Sequence, residues 1–338
     1  MTSTPIMTAT EQPKYCYIVT GANSGIGLEA TKQLASYLHL RNEKSVTIYM
    51  LCRSEERTRA AMATIGTPDI LQFLKFDGSD SAETIQNHCV DKLPDGIKVE
   101  GILLNAGGFG DNKKQQKDKK QQSSSTTSNN SLSKDDVPVA SSIAQANLIG
   151  HAILIDRLLK ADKIDSSTRI VASGSEAAFA SGVPMDFDKA DFDGILQGTA
   201  SLGGIPGVEY GWTKALLALY WAAFARHHPD LFVVTVSPGS VTTTNLLRQG
   251  GVNPFLRTVS KMAMFLGGSH QESVAAKRYI DALLGEERAS QESGSFWASR
   301  KGYTKDYGDV SNLTICKFLK DVTLQEKAWN AVRKFVPL

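Results

Sequence analysis

The stretch Tyr15–Leu40 reads YCYIVTGANSGIGLEATKQLASYLHL. Tyr15–Val19 is a short apolar run rich in β-formers, and Ile26–Leu40 carries apolar residues at helical spacing. Between them, Thr20-Gly21-Ala22-Asn23-Ser24-Gly25-Ile26-Gly27 places three glycines in a strand-to-helix turn. Such a turn lets backbone approach an anion without a Cβ clash. It also aims free N–H groups at that anion, along with a helix N-terminus worth roughly +0.5 of a charge. A pyrophosphate suits that description. The spacing is GxxxGxG, not the GxGxxG of the familiar dinucleotide fingerprint, and a turn with no ligand is the plain alternative.

Outward from this unit, strand and helix patterns alternate. Strands are expected at Ser45–Leu51, Ile70–Phe76, Val99–Leu104, Arg169–Ala172, Leu231–Val236 and Gly294–Ala298. Helices are expected at Glu55–Ile65, Ser81–Leu93 with Asp80 as N-cap, Ala140–Leu159, Tyr210–His227 and Gln271–Leu284. The alternation predicts an α/β fold, a single Rossmann-type doubly wound parallel sheet with helices on both faces. The second strand ends in Leu51-Cys52-Arg53-Ser54, where dinucleotide folds read the adenosine ribose. An acidic residue there suits the 2′-hydroxyl of NAD, whereas an arginine suits the 2′-phosphate of NADP. Arg53 therefore favours NADP(H), with NAD(H) the alternative and a solvated arginine the bland reading. Asp77, after the third strand, is placed beside the adenine, or is a plain turn aspartate.

Tyr210-Gly211-Trp212-Thr213-Lys214 puts a tyrosine and a lysine four residues apart, on one helical face. A phenol has a pKa of about 10, and a nearby ammonium lowers it. The pair then suits general acid–base work on a carbonyl–alcohol couple. YxxxK alone is a weak signal that packing also explains.

The motifs together carry a resemblance to the short-chain dehydrogenase/reductase family. It runs from Tyr15 to about Ala298, with the motifs in the family's order. Thr20, Gly21, Gly25 and Gly27 match its TGxxxGxG loop, and Asn105-Ala106-Gly107 its NAG motif. Asn147 matches its helix asparagine, Tyr210 and Lys214 its YxxxK, and Pro238-Gly239 its PG motif. In RIVASGSEA the family pattern lands on Ser175, with Ser173 in reserve. The resemblance implies that Tyr210 donates a proton to a carbonyl as hydride arrives from nicotinamide C4. Ser175 polarises that carbonyl, Lys214 tunes the tyrosine and holds the ribose, and Asn147 keeps a relay water. It implies cofactor contacts from Gly21, Asn23, Ser24, Gly25, Ile26, Gly27, Arg53, Asp77, Asn105, Ala106, Gly107, Tyr210, Lys214, Pro238, Gly239, Val241 and Thr243. TGANSGIG, the Cys52-Arg53 pair, NAGG, NLIGH and SGSFWAS are similar to NADP-dependent, retinol-dehydrogenase-like members. The implied function is NADP(H)-dependent oxidoreduction of a ketone or aldehyde and its alcohol. A non-catalytic NADPH sensor on the same fold is the alternative from another class.

The chain has 338 residues, 41% of them apolar and 21% charged, with a net charge of +2. That near-neutral charge gives no reason to expect nucleic acid or an anionic membrane as partner. The longest apolar run, Ala215–Ala225, is too short for a bilayer, which needs about 20 residues. The start of the chain carries no secretory signal pattern. Four scattered cysteines form no CxxC pair, so a reducing, cytoplasmic setting is expected and no metal site. Residues 1–13 read as a flexible tail. Asp111–Asp136, almost devoid of apolar residues, reads as a disordered insertion or linker. Because motifs on both sides converge on one site in the family, it is an insertion within one catalytic domain, 14–298. Residues 299–338 form a C-terminal extension, and Thr242–Gly268 is where the family places its substrate lid. The apolar content of that segment suits a hydrophobic small-molecule substrate, and the resemblance implies a homodimer or homotetramer.

Overall fold

The computed structural model describes residues 14–43, 45–108, 138–179, 185–202, 207–241, 268–285, 292–301 and 304–337. Residues 1–13, the 111–136 insertion, residues 242–267 of the expected lid and Thr243 lie outside them. The strands are β1 (Tyr15–Thr20), β2 (Val46–Cys52), β3 (Leu71–Lys75), β4 (Lys98–Leu104), β5 (Arg169–Ser173), β6 (Phe232–Val236), β7 (Phe296–Lys301) and β8 (Lys305–Asp309). They form one sheet in the order β3-β2-β1-β4-β5-β6-β7-β8. The first seven are parallel, and β8 runs antiparallel to β7.

The period of two along β1 explains the two layers. Cys16 and Ile18 face one core, and Tyr17 and Val19 face the other. One face is covered by α1 (Gly25–Leu40), α2 (Glu55–Met62) and α7 (Glu272–Leu284). The other is covered by α3 (Ala82–His88), α4, α5 (Phe192–Gln197), α6 (Val208–His227) and α8 (Val322–Arg333). Here α4 is a composite: an α-helical turn Ser142–Ala144, a π-helical stretch Gln145–Ile149, then α-helix Gly150–Lys160.

Helix α6 buries 17 of its 20 residues. A helix apolar all round needs cover on both sides, and α8 supplies the second one. Trp329 of α8 stacks on Tyr220 (centroids 5.4 Å, 12°) and on His227 (4.3 Å, 12°). Arg333 pairs with Asp156 of α4 at 2.9 Å. Residues beyond Ala298 thus add β8 to the sheet and α8 to the core. The charged, glycine-containing β8 (KDYGD) has poor strand propensity and suits a sheet edge.

Several boundaries differ from the sequence expectations. Ser81, not Asp80, caps α3, its hydroxyl accepting the Thr84 N–H at 3.1 Å. Asp80 instead accepts the Asp77 N–H at 3.3 Å. That helix stops at His88, before a 3-10 turn at Val90–Lys92. The last parallel strand begins at Phe296, because Gly294 takes φ +84 in a turn. His227 and His228 pack on aromatic rings of α6 and α8 besides ending the helix. All four cysteines are buried and free. Among the described residues, no helix is long and apolar enough to cross a membrane.

Candidate active site

The C-terminal ends of β1, β4, β5 and β6 lie side by side, and each carries one motif. Strand order reverses at β1/β4, the place where open α/β sheets form a ligand crevice. The glycine turn after β1 is bonded to the NAG turn after β4. Asn105 Nδ2 donates to Thr20 O at 3.1 Å and to Gly21 O at 3.4 Å, and the Ala106 N–H donates to Thr20 Oγ1 at 2.9 Å. A Cβ on Gly27 would stand 2.4 Å from both Asn105 Nδ2 and Gly21 O, so only glycine permits this contact. Gly25 is the opposite case: its φ is +56, and a Cβ there would meet nothing within 4 Å. It faces open space at the N-terminus of α1. Ser24 makes no side-chain cap there, and no acidic residue occupies the first turn. Free backbone donors, a positive helix end and a cradle fit a pyrophosphate.

Arg53 follows β2, the strand paired with β1, and is exposed. Asn23 points instead toward α2, donating to Thr58 Oγ1 at 3.3 Å. Asp77 Oδ1 accepts the Ser79 N–H (3.0 Å) and hydroxyl (2.9 Å), so one of its oxygens serves its own turn.

Asn147 lies in the π-helical stretch of α4, and its side chain is committed to backbone. Nδ2 donates to Gly108 O (2.7 Å) and Ile143 O (2.9 Å), and Oδ1 accepts the Gly108 N–H (3.3 Å). The amide thereby fastens α4 to the NAG turn. One turn on, His151 is buried and stacks on Phe76 (5.9 Å, 7°). Burial, aided by Lys214, pushes its pKa down to about 3, so the ring is neutral. Nδ1 faces Asn147 O at 3.3 Å and must donate, so Nε2 accepts the Thr20 hydroxyl at 3.0 Å. The sequence suggests only packing for His151. The structure makes it the bridge between the glycine turn and Asn147.

Tyr210 sits in the first turn of α6 with Lys214 one turn on, Nζ 5.5 Å from the phenol centroid. Both are buried. The Ser175 side chain acts on the Tyr210 phenol and lowers its proton affinity, while Ser175 Oγ accepts the Ala177 N–H at 3.2 Å. Ser173 turns elsewhere: its Oγ meets Tyr279 Oη at 2.6 Å, and its carbonyl accepts from Lys214 Nζ at 2.8 Å. Of the two candidate serines, Ser175 acts on Tyr210, whereas Ser173 is bonded to Tyr279. The proton affinities run against the sequence expectation that Lys214 lowers the tyrosine. Burial pushes Tyr210 up to about 12, against the Ser175 hydrogen bond and with help from the Glu176 charge. Burial also pushes Lys214 down to about 7. Desolvation outweighs the lysine, which is itself easily discharged here.

After β6, Ser237 Oγ accepts the Gly239 N–H at 3.2 Å, shaping the Pro238-Gly239 turn. Val241 forms a parallel bridge with His270. The structure therefore places Lys214 near the Tyr210 ring, with Ser175 acting on that phenol, and seats Asn147 against the NAG turn. Glu176, Ser237 and Arg278 join the site's surroundings without a sequence signal, since no motif marks them.

No family model matches the chain. It is 26% identical over 275 residues to "Short-chain dehydrogenase/reductase 1" of Saponaria officinalis, covering 71% of this chain and 85% of that protein. It is 23% identical over 345 residues to protochlorophyllide reductase B, chloroplastic, of Hordeum vulgare, covering 95% and 78% respectively. Among solved structures, an actinorhodin polyketide ketoreductase with NADPH superposes with a TM-score of 0.55 at 18% identity, over 86% of this chain and 96% of that one. The chain is thus similar in sequence to a short-chain dehydrogenase/reductase and to a protochlorophyllide reductase, and it shares its fold with the ketoreductase.

Proposed function

We propose that the protein is an NADP(H)-dependent oxidoreductase interconverting a ketone or aldehyde with its alcohol. The observation that carries this reading is the buried Tyr210 with Lys214 Nζ 5.5 Å from its ring and Ser175 acting on its phenol. Gly25 follows β1 and Ser175 follows β5, at the same C-terminal edge of the sheet. When bound, the cofactor supplies or accepts hydride at the nicotinamide C4. Gly25 and the first N–H groups of α1 hold its pyrophosphate, and Arg53 holds the 2′-phosphate through charge-assisted hydrogen bonds. Tyr210, protonated across neutral pH, gives its proton to the carbonyl oxygen, and Ser175 hydrogen-bonds that oxygen as charge develops. Lys214, close to half-charged near neutrality, restores the phenol's proton. Asn147 and His151 keep α4 and the glycine turn in register. This protonation pattern suits reduction.

The ketoreductase neighbour with NADPH agrees with NADP. Four buried free cysteines suit a reducing, cytoplasmic setting. The substrate is a small carbonyl compound of hydrophobic character. The test follows NADPH and NADH absorbance over a panel of ketones, aldehydes and quinones, in the parent and in Arg53→Ala. The expected result is NADPH-dependent turnover, with KM for NADPH raised about tenfold by Arg53→Ala and KM for NADH little changed. Tight NADPH binding without turnover of any carbonyl would favour a sensor. Equal effects on both cofactors would remove Arg53 from phosphate recognition.

A further inference from the structure

Directly behind Ser175 lies a second buried polar cluster. Glu176, the next residue, is 3% exposed. Its Oε2 accepts the Ser237 hydroxyl, and its Oε1 accepts the Ser299 N–H at 3.2 Å. Arg278 of α7, 6% exposed, stands 4.0 Å from Oε1. Its Nη1 donates to Ser237 O at 3.2 Å, and its Nη2 donates to Ser299 Oγ at 3.1 Å. Nη2 also meets His270 Nε2 at 2.8 Å. A guanidinium only donates, so that nitrogen accepts and the His270 ring is neutral. The cluster joins the Ser175 turn to the Ser237-Pro238-Gly239 turn, with α7 and β7 as its backing.

A buried ion pair by itself says little, since apolar residues often replace one without loss. The placement says more. Glu176 adjoins Ser175, the residue that acts on the Tyr210 phenol, and its own charge is felt there too. We propose that Glu176, braced by Arg278, is a positioning residue for the reaction at Tyr210. It locks the Ser175 turn onto the Ser237-Pro238-Gly239 turn and sets the field in which Tyr210 holds its proton. The proposal rests on the reading of Tyr210 as proton donor.

Other groups face this site. Lys214 faces Tyr210 from α6, and Tyr279 faces it from α7. Tyr307 of β8 and His270 face Arg278. Burial pushes both phenols far up and His270 down, so they stay uncharged near neutral pH. Glu176, Arg278 and Lys214 carry the local charge.

The test is a 19F NMR titration of protein carrying 3,5-difluorotyrosine, which ionises at lower pH than tyrosine. Tyr210 is assigned by the resonance missing from Tyr210→Phe. No substrate or cofactor is needed, so the result is independent of turnover. Glu176→Gln keeps the shape and removes the charge, and is expected to move the Tyr210 titration about one unit toward lower pH. Glu176→Asp keeps the charge, shortens the side chain, and is expected to stay close to the parent. A purely structural role predicts that Asp shifts at least as far as Gln, because Asp withdraws both oxygens by a methylene while Gln keeps the reach and one acceptor. Should Glu176→Gln fail to fold, the double variant Glu176→Gln/Arg278→Met removes both charges and is expected to shift the same way. Folded neutral variants that titrate with the parent, or an Asp variant that shifts as far as Gln, would overturn the proposal.

Discussion

Ser175 and Ser173 lie two residues apart, and their hydroxyls have different partners. Ser175 acts on the Tyr210 phenol, while Ser173 is bonded to Tyr279. Ser175→Ala is therefore expected to lower kcat at least tenfold, by removing a donor to the developing oxyanion. Ser173→Ala is expected to change kcat little and to cost stability through the orphaned Tyr279 hydroxyl. Steady-state kinetics and thermal melts on the pair check both. His151 makes a separate prediction about acid. Its folded pKa is pushed down to about 3, below the 6.5 of a free imidazole, so the unfolded chain binds the proton first. Stability is then fully present above about pH 6.5 and falls toward pH 3, by at most about 1.4 kcal/mol per unit for this group. Denaturant melts between pH 3 and 7 should show a flatter decline in His151→Gln than in the parent. Identical slopes would mean the ring is not buried neutral. The sequence pointed to Tyr210, Lys214 and Ser175 through the family resemblance, with Ser173 in reserve. It could not show His151 or Glu176 as more than packing or surface residues, because their roles depend on partners more than 60 residues away.

The elements repeat that division. β1, β2 and β4 were legible because buried parallel strands are nearly continuous apolar runs. The π-helical stretch at Gln145–Ile149 was not, since one extra residue per turn barely disturbs an apolar pattern. It is held open by tertiary bonds, from Asn147 to Gly108 and from His151 to Thr20. α6 did carry an unread signal. An eleven-residue run without a polar face asks for cover on its outer side, and α8 is that cover. Trp329→Ala removes two ring stacks from the joint and is expected to cost about 2 kcal/mol, a few degrees in Tm. Unchanged melting would show that α8 contributes little to the fold.

Over the whole molecule, a near-neutral, average composition conceals a local concentration of function. Four adjacent strand ends of one parallel sheet bring together residues from Gly25 to Gly239. The overall α/β architecture followed from alternation alone. The edge strand β8 and the closing helix α8 did not, being short, charged or dependent on what they cover. The central claim is that this crevice moves a proton through Tyr210 while a nicotinamide cofactor exchanges hydride with a carbonyl. The most direct measurement compares Tyr210→Phe with the parent in NADPH binding, by fluorescence titration, and in carbonyl reduction, by NADPH absorbance. The account predicts NADPH affinity within a few-fold of the parent and kcat lowered about 10²–10⁴-fold. Carbonyl reduction at the parental rate by Tyr210→Phe would contradict it.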